Sequence, residues 1–356
     1  MTSDVVARPA PARSSGNGSS GNGVAHRLRS VLRWEAGLVV VLAAVLIYGS
    51  GESSTFLTGT TLFNLGYNVG YIAIMAMPMT FIVMTGEIDL SVASMLGLSG
   101  SMVGYLWHHG WGIWPAMLVA IVVGVVGGAL NGFLVVRVGL PSIAVTIGSL
   151  TLYRGIAEIL LGSQTIPAPN DRPFPTWFDN LGALGVAGSQ LTWSTLFFLV
   201  FAVIFGVILH LTSLGRSLYA IGLQPEAAQF TGIRVARIKF WLYVASGVFC
   251  AFAGILLTAQ NASVTYNAGT GLELNVVAMV LFGGVSIFGG RGTIPGVVLS
   301  IAIFATLQIA LTDQNVDPNV QNIITGLLLL ISVIVPNGGE ALRRLRSRLR
   351  RPPRRR

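Results

Sequence analysis

Cysteine, lysine and catalytic motifs are nearly absent from this chain of 356 residues. Its single cysteine, Cys250, excludes an intrachain disulfide. Its single lysine, Lys239, has no glycine pair upstream, whereas the common phosphate-binding loop of ATPases places lysine directly after a glycine. The chain therefore does not hydrolyse ATP by that route. Because H-E-x-x-H, G-x-S-x-G and cysteine pairs are also missing, we expect no enzyme activity and no catalytic, metal or cofactor-binding residues.

Apolar residues, in contrast, are abundant. They make up 53% of the chain, charged residues make up 10%, and the mean hydropathy is +0.73. A helix needs roughly 20 mostly apolar residues to cross a bilayer, and about ten such runs follow one another. The runs are continuously apolar instead of alternating, which excludes a membrane barrel. The sequence therefore predicts an all-α, polytopic integral membrane protein with its transmembrane domain at 34–336.

The predicted transmembrane helices are 34–50, 62–84, 91–107, 113–136, 142–161, 191–211, 239–259, 273–289, 294–311 and 320–336. The stretch 36–48 also resembles the core of a signal peptide. A leader of more than about thirty residues and the lack of an A-x-A-like cleavage site favour a retained first helix.

Basic residues fall on alternate connections between these helices. Since Arg and Lys concentrate in cytoplasmic loops, this pattern predicts that both termini are cytoplasmic. The segment 1–33 begins with residues rich in Ser, Gly, Asn, Pro and Ala, and we expect it to be disordered. The arginine-rich tail 337–356 is expected to meet anionic lipid headgroups, and nucleic acid is not an expected partner.

The largest predicted cytoplasmic loop, before the seventh helix, contains a short helical pattern. Pro225 suits a first helical turn, and Glu226 there complements the positive end of the helix dipole. Ala227 and Ala228 continue the helix, and Gly232 suits its C-terminal stop. A helix of about two turns is marginal alone. It is therefore either a plain connector or a segment that docks on another protein.

Four long segments carry a family resemblance. They are MTGEIDLSVASMLGLSG at 84–100, LNGFLVVRVGLPSIAVTIGSLTLYRG at 130–155, GRSLYAIGLQPEAAQFTGI at 215–233 and NAGTGLELNVVAMVLFGGVSIFGGRGTIPG at 267–296. Over roughly 60–336 the chain is similar to the ribose/arabinose/xylose/rhamnose-type permease family of ABC sugar importers. It departs from the family pattern at Glu87 and Ala93, where glycine is more common, which leaves the local packing and the substrate open.

The resemblance implies a type II ABC importer-like permease of the bacterial cytoplasmic membrane, which translocates a monosaccharide such as ribose, xylose or rhamnose. Glu226-Ala227-Ala228 and Gly232 resemble the EAA-x3-G loop, which forms the coupling helix that docks on the ATP-binding subunit. The implied partners are that cytoplasmic subunit, an extracytoplasmic sugar-binding protein and a second permease subunit, identical or not. The alternatives are an ABC permease for a nucleoside, a branched-chain amino acid or an autoinducer-type sugar derivative, and, in a different class, a stand-alone secondary transporter or channel.

Polar residues in or beside the predicted helices are candidates for the translocation path. Asp89 can also cap a helix that starts at Leu90, and Arg154 and Glu158 have the i, i+4 spacing of an intramembrane ion pair. Each candidate alone equally fits a structural role between helices. The candidates are Glu87, Asp89, Ser91, Asn131, Tyr153, Arg154, Glu158 and Asn275.

Overall fold

A computed structural model describes residues 20–52, 56, 58–168, 171–317, 319–331 and 334, with side chains from Trp34 onward. Its α-helices are α1 Ser20–Glu52, α2 Gly59–Met84, α3 Val92–His108, α4 Ile113–Phe133, α5 Ser142–Leu161, α6 Thr176–Ala183, α7 Trp193–Leu211, α8 Ser213–Leu223, α9 Pro225–Phe230, α10 Val235–Asn261, α11 Leu272–Phe282, α12 Ile294–Asp313 and α13 Asn319–Ile331. A π-helical turn, Leu134–Val138, extends α4.

The predicted all-α membrane architecture is confirmed. Within the described part of the chain, seven helices are long and apolar enough to cross a bilayer, namely α1 from Trp34 onward, α2, α4 with its π-helical turn, α5, α7, α10 and α12. α3 has 17 residues, and α11 and α13 are shorter apolar helices. Each of the ten predicted spans therefore coincides with a helix over all or part of its length.

The predicted eighth span, 273–289, is wrong in its second half. α11 ends at Phe282, and the chain then turns before α12 begins at Ile294. Four glycines of this turn have positive φ angles, namely Gly284, Gly289, Gly290 and Gly292. Glycine adopts such angles without steric cost because it has no Cβ atom. The apolar run is therefore broken where these glycines cluster.

The first helix begins before the first predicted span. α1 starts at Ser20, whereas the predicted span starts at residue 34, and the disorder expected for 1–33 stays a prediction. Val24, Leu28 and Val31 recur at helical spacing, and extending an existing helix avoids the cost of nucleating a new one. The predictions for 1–19 and for the basic tail 337–356 lie outside the described residues.

α10 lies at the centre of the bundle and packs against α2, α3, α4 and α6. Glycines line its contacts with α4 and α3. Gly247 lies against the backbone of Gly124, and Gly254 lies against the backbone of Leu96. Small residues at helix interfaces let two backbones approach closely, which increases van der Waals contact where lipid provides no hydrophobic driving force.

Contacts between connections define two ends of the bundle. At one end the Gly290 N–H donates to the Met84 carbonyl at 2.9 Å, and this end carries the exposed arginines Arg137, Arg216, Arg234, Arg237 and Arg291. We call it the basic end. At the opposite end, the α6 end, Ile166 and Val264 form an antiparallel bridge. The Trp107 indole N–H there donates to the Arg172 carbonyl at 2.9 Å.

The outer surface of the bundle is apolar. Leu118 and Val126 of α4, Ile159 of α5 and Val203 of α7 are each more than 60% exposed. Apolar side chains are unfavourable in water, and an apolar exterior over several neighbouring helices is suited to lipid.

Replacing Gly247 by Val is predicted to destabilise the bundle. A Cβ atom at this position would overlap the carbonyl oxygen of Gly124, so α4 and α10 would have to separate. Overpacking of this kind costs about 1–3 kcal/mol, and the thermal midpoint of the purified protein should fall accordingly. Gly148→Val on the exposed face of α5 is the control, because a Cβ atom there meets nothing within 4 Å. Equal effects of the two substitutions would contradict this packing.

Candidate functional site

The predicted short helix is present at the basic end as α9, which has six residues from Pro225 to Phe230. Gly232 follows it with φ +85°, and a Cβ atom there would be strained whatever the space. The Gly232 N–H donates to the Gln229 carbonyl at 2.9 Å and the Ile233 N–H to the Ala228 carbonyl at 3.1 Å. These bonds end the helix as the sequence predicts.

α9 is anchored by one side and exposed on the other. Ala228 is buried and packs with Ile221 of α8 and Val235 of α10. Glu226 and Ala227 are exposed, and the Phe230 side chain is 92% exposed. A large exposed aromatic side chain on a helix outside the apolar bundle is typical of a protein contact.

Asp89 is the centre of a buried hydrogen-bond network. Its Oδ1 accepts from the Ser91 N–H at 3.0 Å and the Ser91 hydroxyl at 2.6 Å, and its Oδ2 accepts from the Ser246 hydroxyl of α10 at 2.9 Å. The Asn131 amide donates to the Ser91 Oγ at 2.9 Å. The network thus joins the start of α3 to α4 and α10.

α5 completes the network through Asn131. The hydroxyl of Ser149 donates to the Asn131 Oδ1, and the Tyr153 hydroxyl contacts the same oxygen at 3.2 Å and the Gly127 carbonyl at 2.9 Å. Asp89, Ser91, Asn131 and Tyr153 are each 3% exposed or less. Four of the predicted path residues therefore lie together, in a network whose members bond to one another. A buried network of this kind fixes the relative positions of helices.

The helix at Asp89 begins later than predicted. α3 starts at Val92, not at Leu90, and its first flanking residue is Ser91. Asp89 accepts the N–H two residues further along the chain, which is the local pattern of an Asx turn. This turn holds Ser91 outside the helix.

Glu87 lies apart from this network. Its Oε1 accepts from the Lys239 Nζ at 2.5 Å, and both side chains are less than one-fifth exposed. The pair joins the α2–α3 connection to the start of α10 at the basic end. The sequence predicts Lys239 at the start of a helix but does not indicate its partner, which is 152 residues away.

Arg154 does not pair with Glu158, so the predicted i, i+4 ion pair is wrong. Its guanidinium donates to the carbonyls of Tyr266 at 2.9 Å and Ala268 at 2.8 Å. Gly97 leaves room for this contact, because a Cβ atom there would lie 2.8 Å from the guanidinium. The two carbonyls accept hydrogen bonds from the guanidinium in place of the Glu158 carboxylate. The Glu158 side chain is exposed. The remaining candidate, Asn275, is half-buried in α11.

Arg154 supports a cavity that the sequence did not reveal. The segment 262–271, which its guanidinium holds, closes one side of a cavity of about 360 Å³ at the α6 end. The other walls come from α2, α3, α10 and Leu272, the first residue of α11. All of its polar residues except Tyr71 fall within 258–270, but the sequence does not show that this segment packs over α2 and α3. The small polar and glycine residues of 262–271 were the only signal.

The apolar exterior and the bundle of long helices define a multi-pass membrane protein. The chain belongs to the family described as "Branched-chain amino acid transport system / permease component", whose model matches residues 61–333. The chain is thus a transport permease component, as the sequence motifs indicated.

Curated relatives match most of the chain. The autoinducer 2 import system permease protein LsrC of Salmonella choleraesuis is 30% identical over 90% of this chain and 89% of its own length. The ribose import permease protein RbsC of Bacillus subtilis is 31% identical over 84% of this chain and 89% of its own length. The L-arabinose ABC transporter permease protein AraH of Azospirillum brasilense is 31% identical over 84% of this chain and 86% of its own length. No solved structure matches the chain.

Replacing Asp89 by Ala is predicted to destabilise the protein. The substitution removes the acceptor of three hydrogen bonds, and each buried donor left without a partner costs about 1–3 kcal/mol. The thermal midpoint of the purified chain should fall clearly. Glu158→Ala, which removes an exposed carboxylate on α5, should leave it unchanged. A midpoint unaffected by Asp89→Ala would show that the network does not hold the helices together.

Charge exchange tests the Glu87–Lys239 pair. Each single variant, Glu87→Lys or Lys239→Glu, brings like charges together and should lower stability. The double variant restores opposite charges and should recover most of the loss. A double-mutant cycle in thermal unfolding measures the coupling. If the stability loss of the double variant equals the sum of the two single losses, the two side chains do not interact directly.

Proposed function

We propose that the chain is the membrane-spanning permease subunit of an ATP-driven importer for a small carbohydrate. Relatives that span most of this chain carry names of ribose, L-arabinose and autoinducer 2 import permeases, which supports a sugar or sugar derivative. The observation that carries the proposal is α9, a short helix anchored through Ala228 and exposed through Phe230. In this proposal ATP hydrolysis takes place on a separate subunit.

The basic end faces the cytoplasm in this proposal. Exposed arginines concentrate there, and Arg and Lys are retained on the cytoplasmic side of membrane proteins. Both termini then lie in the cytoplasm of a bacterium, and the α6 end faces outward. A solute-binding protein would dock at the α6 end, and a second permease subunit would complete the pathway.

α9 is the proposed contact with the ATP-binding subunit. A displacement of α9 passes to α8 and α10 through Ala228, because this side chain packs on both helices. α8 in turn lies against the α2 end and the turn after α11, where Gly222 touches the backbone of Met84 and Gly290. ATP binding and hydrolysis would thus shift the population between outward-open and inward-open arrangements of the bundle.

The residues of the translocation path remain proposals. The hydrogen-bond and ion-pair partners of their side chains separate them into groups. The side chains of Glu158 and Asn275 have no hydrogen bond or ion pair to another described residue, and they are the stronger candidates for the pathway. Asp89, Ser91, Asn131 and Tyr153 bond to one another, and they would act on transport through helix position. Glu87 and Arg154 likewise hold neighbouring segments in place.

Substitutions in α9 test the proposed function. In vesicles that contain the assembled importer, Glu226→Ala and Gly232→Val should reduce ATP-dependent sugar uptake at least tenfold while leaving membrane insertion unchanged. The first removes an exposed carboxylate of the contact, and the second strains the turn that ends α9, at φ +85°.

Asp313→Ala is the matched control, because Asp313 is an exposed carboxylate at the other end of the bundle. Uptake that survives both α9 substitutions would contradict the coupling role. Uptake driven by an ion gradient without any ATP-binding subunit would instead favour a secondary transporter.

A further inference from the structure

The cavity at the α6 end is built from polar groups with free hydrogen-bonding capacity. It measures about 360 Å³ and lies between α2, α3, the end of α10 and the segment 262–271. This volume is at the lower end of the range of about 300–1,000 Å³ that small-molecule sites occupy. A small solute therefore fits this space better than a peptide or a nucleotide.

Four polar side chains line the cavity without hydrogen bonds to other described residues. They are the Tyr71 hydroxyl, the Asn261 and Asn267 amides and the Thr265 hydroxyl. Hydroxyl and amide groups both donate and accept hydrogen bonds, which matches the hydroxyl groups of a sugar. Leu96, Leu257 and Leu272 add apolar surface beside them, where the C–H face of a sugar ring can pack.

The lack of charged residues in the lining distinguishes between classes of solute. None of the described residues that line the cavity is Asp, Glu, Lys, Arg or His, and the nearby Arg154 guanidinium is bonded to the carbonyls of Tyr266 and Ala268. An amino acid brings a carboxylate and an ammonium group, and each is costly to take out of water without an oppositely charged partner. A neutral polyhydroxylated solute carries no such cost. The lining therefore favours a sugar over a branched-chain amino acid.

Arg154 holds in place the segment 262–271, which forms one wall of the cavity. Its guanidinium bonds the carbonyls of Tyr266 and Ala268, and Ala268 is itself part of the lining. Charge-assisted hydrogen bonds are among the stronger ones in proteins. The polar segment is thus tied to α5, and the site is formed before any solute arrives.

We infer that this cavity is a binding site, within a single permease subunit, for a neutral molecule of monosaccharide size. The inference rests on the proposed function in that the solute is taken to be the imported one. Arg154 is a positioning residue for the site, and Tyr71, Asn261, Thr265 and Asn267 are its contact residues.

Thiol labelling tests the site directly. Asn267→Cys places an exposed thiol at the cavity, whereas the native Cys250 is buried. The variant importer is reconstituted in vesicles without binding protein and labelled with a membrane-impermeant maleimide. D-ribose, D-xylose, L-arabinose and D-fructose are added separately, and L-leucine is the comparison solute. At least one sugar should slow labelling several-fold, and leucine should not.

Asn180→Cys on α6 is the matched control, since this residue is exposed at the same end and does not line the cavity. No solute should protect it. Equal labelling of Asn267→Cys with and without every sugar, or protection by leucine as strong as by sugar, would overturn the inference.

Transport by a second variant separates this inference from the proposed function. Thr265→Val combined with Asn267→Ala removes two polar groups of the site and should lower the uptake rate at low sugar concentration about tenfold, the effect of weakening a bound state by one or two neutral hydrogen bonds. Thr151→Val, on the exposed face of α5 and outside the cavity lining, should leave it unchanged. Full uptake by the double variant would reject the cavity and leave the importer assignment standing. Absence of uptake by the unmodified importer for all four sugars would reject both.

Discussion

Close backbone contact along α10 is the constraint on which the rest of the structure depends. Gly124 and Gly247 bring α4 and α10 together, and Gly254 does the same for α3. In lipid this packing replaces the hydrophobic effect as the force between helices. It also brings Ser246 to Asp89 and Lys239 to Glu87, and these polar contacts add to the packing of the helices.

The polar residues of the bundle then divide into three groups according to their partners. The Asp89 network bonds within itself and fixes helices. Arg154 holds the segment 262–271 through its carbonyls. The cavity side chains such as Asn267 bond to no other described residue and are available to a solute. A charged or polar group inside a membrane bundle is therefore not in itself evidence of a pathway. Its hydrogen-bond partners decide which role it serves.

Local signals predicted the helices and α9 well. Pro225 and Gly232 specify where α9 starts and stops, and long apolar runs specify the membrane helices. The break after Phe282 was missed because the apolar run continues while its glycines turn the chain. The Arg154 partners were missed because they lie 112 and 114 residues away along the sequence. The cavity was missed because tertiary packing brings its α2 and α3 walls, at Tyr71, Leu96 and Gly100, against the segment 254–272.

Crosslinking at α9 tests the central claim, that this permease receives its energy from a separate ATP-binding subunit through one short helix. Ala227 is exposed on α9, and Ala227→Cys adds a reactive thiol to a chain whose one native cysteine is buried. In the assembled importer this thiol should crosslink to the ATP-binding subunit, with a yield that changes when ATP is added. Absence of any crosslink to that subunit, or labelling of the thiol by an impermeant reagent from outside intact cells, would contradict the account.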